Sequence, residues 1–144
     1  MNLNTLKYSQ VAIGDKLPEL KIDITSGLII GAAIASRDFT PVHHDKKVAQ
    51  ATGLPDVFMN ILTSNGFMGR FVTDWAGPDC TLKGIDIKLR APNLPGFVMA
   101  VTGEVKAKDD ASGVVSVAVE GVNNVWGTHM TGTVRVALPL PKEA

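Results

Sequence analysis

The run VFMNILTSNGFMGRFVTDW, residues 57–75, decides the fold. Its apolar residues recur at Phe58, Ile61 and Leu62, then at Met68, Phe71, Val72 and Trp75, the spacing of an α-helix. Polar residues are sparse, so most of its circumference is expected to be buried. Gly66 and Gly69 weaken its intrinsic propensity and suggest close packing against a sheet. Gly77-Pro78 ends it.

The downstream sequence supplies that sheet. Ile85, Ile87 and Leu89 alternate with Asp86, Lys88 and Arg90. Met99, Val101, Gly103 and Val105 form a second alternating set, and Val115, Val117 and Val119 a third after an Asp109–Gly113 turn. Val134, Val136 and Leu138 close the series before Pro139 and Pro141. Upstream, a Gly14-Asp15 turn leads into an extended segment through Pro18, with Leu20, Ile22 and Ile24 on one face, and Gly27 breaks it. LIIGAAIAS, residues 28–36, reads as a buried strand or a short helix; Leu28, Ile29 and Ile30 lean towards strand, while the alanines leave helix open. The expected order is strand, polar loop, long helix, then about four antiparallel strands joined by turns. One helix cannot cover both faces of such a sheet. The expected architecture is therefore an α+β hot-dog fold, an antiparallel sheet wrapped around one long central helix and meeting another subunit elsewhere.

A chain of 144 residues, 45% hydrophobic, suits a single domain over residues 1–144 with a real core. Fourteen basic residues balance fourteen acidic ones, which removes the electrostatic case for nucleic acid or an anionic membrane surface. An anionic ligand must then be held by local charge. The lone Cys80 excludes an intrachain disulfide and is expected as a buried, inert thiol in a strand. MNLNTLKYSQ has no basic region followed by an apolar core, and no apolar run is long enough to span a bilayer, so a cytoplasmic location is expected.

Chemistry is concentrated in RDFTPVHHDKKVA, residues 37–49. A short helix is expected from about Asp45 to Ala51, capped by Asp45 or a neighbour. A long, polar, ordered connection in a small domain is usually functional. His43 and His44 are adjacent on an extended loop and point different ways, His129 is distant in sequence, and no Cys or Glu stands at ligand spacing. No metal is expected. Capping and solvation account for Asp45, His44, Lys46 and Lys47. Asp38 and His43 differ in placement: they flank Phe39 and Pro41, which stiffen the loop, and they precede the buried helix. A carboxylate and an imidazole held this way can share one water, as hydration of an activated double bond requires. Each such group typically contributes roughly 10²–10⁴-fold to rate.

The run S-R-D-F-T-P-V-H-H-D-K-K-V-A, Ser36 to Ala49, resembles the S-G-D-x-N-P-x-H-x-D pattern of the MaoC-like, or (R)-specific, enoyl-CoA hydratases. Asp38, Pro41, His43, Asp45 and Ala49 match in register. A-P-N-L-P-G-F, with Pro92 and Gly96, resembles the family's proline-and-glycine lead into a strand. The resemblance extends from about Gly14 to Leu138. It implies that Asp38 activates water and His43 protonates the α-carbon. It places the Ile61 backbone N–H where the family polarises the thioester carbonyl, with Thr40, Asn60 and Asp45 in support. No cofactor is implied, because coenzyme A arrives as part of the substrate. Departures are Arg37 for glycine, Thr40 for asparagine, Phe97 for aspartate, Asn60-Ile61-Leu62 for H-G-M, and Gly69 where the family has a serine.

RDFTPVHHD, NILT and VTDWAGPD further resemble the small catalytic subunit of the bacterial steroid side-chain hydratases. That resemblance implies an acyl-CoA substrate with a steroid acyl group and a second MaoC-like subunit in an α2β2 assembly. Two other hydratase-family readings stay open: a non-catalytic hot-dog partner, which Thr40 and Gly69 keep alive, and a homodimeric hydratase for short or medium acyl-CoA. A thioesterase shares the fold, but that chemistry usually places a carboxylate on the central helix, and residues 57–73 carry no acidic group.

Overall fold

The alternating segments become one antiparallel sheet because each buries its apolar side on the same helix. The computed structural model describes residues 4–140; Pro141 and the polar tail lie outside them. In chain order the elements are β1 (Lys16–Asp23), α1 (Ser26–Ala35), α2 (Lys46–Ala51), α3 (Ile61–Ala76), β2 (Thr81–Leu89), β3 (Val98–Asp109), β4 (Val114–Asn123) and β5 (Gly127–Ala137). The strands line up as β1-β3-β4-β5-β2, with every neighbouring pair antiparallel. Each pairing contains a register irregularity, at Leu17/Leu20, Leu82/Gly84, Val105/Ala107 and Gly121/Val122. Such bulges bend strands and increase twist, which lets the sheet curve round α3. Met68, Phe71 and Val72 of α3 join Val101, Val105, Val117 and Val134 of the sheet in one apolar cluster. This is the hot-dog arrangement.

Two glycines fix the helix in place. A Cβ on Gly69 would lie 3.1 Å from Ile85 Cδ1, so α3 approaches β2 closely there. Gly77 ends the helix at φ 97°, and a Cβ there would sit 2.5 Å from Thr5 Cα. Gly66 faces open space and plays no part in this contact.

The structure corrects four expectations. Residues 28–36 are helical over most of their length, in α1, rather than strand. The Thr25 hydroxyl accepts the Leu28 N–H at 3.0 Å and starts the helix, and the buried Ile29 and Ala33 lie one turn apart on its inner face. The central helix begins at Ile61, not near Val57, because Asn60 caps it and the Met59 N–H is already bound to Asn93 O at 3.0 Å. Its circumference is less buried than expected: Ile61 and Leu62 are 45% and 47% exposed. Cys80 is half-buried and precedes β2 instead of lying within it.

Candidate active site

Asp38 is presented by a tight turn at the end of α1. Its N–H donates to Ala33 O at 2.9 Å, and Arg37 before it adopts φ 59°. A non-glycine residue in this region costs roughly 1–2 kcal/mol. The resembled pattern has glycine there, so Arg37 occupies a strained position beside the carboxylate. Pro41–His43 then form a single 3₁₀ turn, and His43 is buried. His43 Nδ1 lies 2.7 Å from Phe58 O. A carbonyl can only accept, so Nδ1 carries the hydrogen and Nε2 is the nitrogen free to exchange a proton. That nitrogen is 3.4 Å from Asp38 Oδ2. The Phe58 ring meets the imidazole edge-on at 4.9 Å and holds its plane.

Three donors converge on Asp38. The Thr40 hydroxyl and N–H reach Oδ1 at 2.7 and 3.2 Å, and Asn60 Nδ2 reaches Oδ2 at 3.0 Å. The Thr40 hydroxyl and then the Asn60 amide hold the carboxyl down at about 2, against an ordinary 3.8; partial burial opposes them, and the charge of His43 adds least. Asp38 is therefore a carboxylate throughout the neutral range. Asn60 works in two directions. Its Oδ1 accepts the Thr63 N–H at 3.0 Å and caps α3, while Nδ2 also donates to Ser36 Oγ at 3.1 Å. Ile61 is the first helical residue, so its N–H has no acceptor one turn back and lies at the positive end of the helix dipole.

A cavity of about 390 Å³ opens onto this group, lined by Asp38, His43, Phe58, Met59, Asn60, Ile61, Leu89, Arg90, Pro92 and His129. The structure thus brings together Asp38, His43, Asn60 and Ile61, with Thr40 bonded to Asp38 from behind. It does not bring in Asp45. That carboxylate accepts the Lys47 and Val48 N–H groups at 2.9 and 3.3 Å and is occupied in capping α2. Among the described residues, no group of three or more His, Cys, Asp or Glu is arranged to hold a metal ion. Sequence reading missed Ser64 and His129. His129 is 1% exposed, with Nδ1 2.7 Å from Ala91 O and Nε2 2.9 Å from Ser64 Oγ. Burial pushes its pKa below the ordinary 6.5. Its only signal in the sequence was an imidazole within a strand of small and apolar residues.

A carboxylate and an imidazole at the start of the central helix of a hot-dog fold define a class of protein, and the comparisons agree with that class. The MaoC like domain matches residues 9–126, and the chain belongs to the MaoC-like family. It is 42% identical over 126 residues to the 3-oxo-4,17-pregnadiene-20-carboxyl-CoA hydratase beta subunit of Mycobacterium tuberculosis (strain ATCC 25618 / H37Rv), covering 88% of this chain and 95% of that one. It is similar to a chain in the crystal structure of the ChsH1–ChsH2 complex from M. tuberculosis, with TM-score 0.85, 41% identity, and 89% and 98% of the two chains covered. The unliganded R-hydratase PhaJ1 from Pseudomonas aeruginosa shares the fold at TM-score 0.83 and 22% identity, over 94% of this chain and 87% of that one.

Proposed function

We propose that this chain is the catalytic subunit of an enoyl-CoA hydratase, adding water across the double bond of an α,β-unsaturated acyl-CoA. The observation that carries the reading is the 3.4 Å approach of His43 Nε2 to Asp38 Oδ2, beside the free helix start at Ile61 and within one cavity. One water donates a hydrogen bond to Asp38. The thioester carbonyl lies at the Ile61 N–H, where the helix end stabilises the developing enolate. Asp38 takes the water proton as oxygen bonds to the β-carbon, the imidazolium form of His43 delivers its Nε2 proton to the α-carbon, and the proton gained by Asp38 returns to Nε2 across the 3.4 Å gap to reset the pair. Both groups stand on one face of the alkene, so addition is syn.

The acyl group is of steroid type, and a second MaoC-like chain completes an α2β2 enzyme. The 42% identity to a steroid-CoA hydratase subunit supports the substrate. The partner is supported by exposed apolar residues of the cavity lining, Ile61 and Leu89 at 45% and 39% exposed, by the neighbouring Leu62 at 47%, and by β2 standing at the sheet edge. Exposed apolar surface along an open strand calls for another chain. The test is expression with and without the MaoC-like partner, assayed on crotonyl-CoA and 3-oxo-4,17-pregnadiene-20-carboxyl-CoA. The expected result is hydration of the steroid thioester by the pair, with no free thiol. Release of coenzyme A would identify a thioesterase instead. Hydration of crotonyl-CoA by the lone chain would overturn the heteromeric steroid reading.

A further inference from the structure

We propose that His129 is a positioning residue that fixes the first turn of α3 through Ser64, an inference that rests on the hydratase reading above. Ser64 and His129 are 0% and 1% exposed and join the helix to β5. The Ala91 carbonyl can only accept, so the imidazole donates from Nδ1 and presents a lone pair at Nε2. The Ser64 hydroxyl donates to that lone pair at 2.9 Å. Burial disfavours the imidazolium, which keeps Nε2 an acceptor. Among the described residues, no carboxylate pairs with this ring.

What the bond holds is the reacting end of the helix. The Ser64 N–H lies 3.3 Å from Asn60 O and its hydroxyl oxygen 3.4 Å from the same carbonyl. Asn60 grips Asp38, and Ile61 supplies the N–H for the substrate carbonyl. On its other side, His129 O accepts the Arg90 N–H at 2.7 Å, and Thr128 O accepts the Ala91 N–H at 3.1 Å. The ring therefore ties the helix start to the segment of Arg90 and Pro92, which also lines the cavity. A histidine that merely fills space would be indifferent to which of its nitrogens is replaced; a positioning one would not.

The two nitrogens are separable by substitution. His129→Gln places an amide oxygen near the Nε2 position and keeps the acceptor for Ser64. His129→Asn places an amide N–H near Nδ1, keeps the bond to Ala91, and leaves Ser64 without its acceptor. Ser64→Ala removes the donor. With the assembled enzyme and 3-oxo-4,17-pregnadiene-20-carboxyl-CoA, Ser64→Ala and His129→Asn are expected to lower kcat about 10- to 100-fold, the scale of a small misplacement. KM should stay within about twofold, and His129→Gln should keep kcat within about threefold. Thermal unfolding confirms that each variant is folded at the assay temperature, and Ser64→Ala alone decides the matter when the histidine variants do not fold. Unchanged kcat in Ser64→Ala, or equal losses in the Gln and Asn variants, overturns the proposal while leaving the hydratase reading intact. A wild-type enzyme that does not hydrate either thioester overturns both.

Discussion

Replacing Asn60 by alanine removes two functions from one side chain, and replacing it by serine separates them. Asn60 is 2% exposed and caps α3 through Oδ1, while its amide reaches Asp38 and Ser36. Loss of the cap costs about 1 kcal/mol. Loss of the Ser36 bond costs about 1 kcal/mol more. The bond to Asp38, which helps hold that carboxyl down, adds little to this total, because the side chain is 21% exposed and water largely replaces the amide. The total for Asn60→Ala is about 2 kcal/mol, a fall in Tm of about 7 °C for a chain of this length. Serine is as good a cap as asparagine but is too short to reach Asp38, so Asn60→Ser should regain about 1 kcal/mol. Both variants lose the grip on Asp38 and should fall about 10²-fold in kcat. Thermal unfolding followed by circular dichroism gives the first number. Loss of ultraviolet absorbance from the conjugated thioester gives the second. Equal stability of the two variants would refute the cap, and wild-type kcat in either would refute the hold on Asp38.

Two further outcomes test the core and the electrostatics. Met68 is fully buried between helix and sheet, so Met68→Ala should cost about 3 kcal/mol with kcat per folded molecule unchanged; a loss below about 1 kcal/mol in urea titration would contradict the packing. Asp38 titrates at about 2 in the folded chain against 3.8 ordinarily, so its contribution to stability is present above about pH 4 and disappears as pH falls towards 2. Thr40→Val removes the strongest of its hydrogen bonds and should make stability less steep in that acid window. Parallel acid-unfolding curves for the two proteins would dismiss Thr40 as the cause.

How much was readable in advance depended on whether the determinant was local. The strand alternations at Ile85–Leu89 and Val115–Val119 carried the sheet, because a two-residue period is a local signal. Asp38, Thr40 and His43 were legible for the same reason: one turn and one 3₁₀ turn hold them together. The segment at 28–36 misled because β-branched bulk pointed to strand, while the deciding interaction was a single hydroxyl, Thr25, one residue before the helix. Val57 to Met59 looked helical because they are apolar and run straight into the helical spacing, yet the Met59 N–H belongs to Asn93, far along the chain. Ile61 and Leu62 looked like core because an apolar residue at helical spacing carries no sign of whether its side of the helix meets the sheet. The contacts of His129 had no local sign, since strand pairing carries it beside Ala91 and the packing of α3 on the sheet brings Ser64 to it.

The most direct measurement of the central claim is the hydration rate of Asp38→Asn and His43→Ala in the assembled enzyme, read beside their thermal unfolding. Each substitution should lower kcat roughly 10²–10⁴-fold, with both variants still folded at the assay temperature. Hydration at a near-normal rate by either variant would contradict the claim.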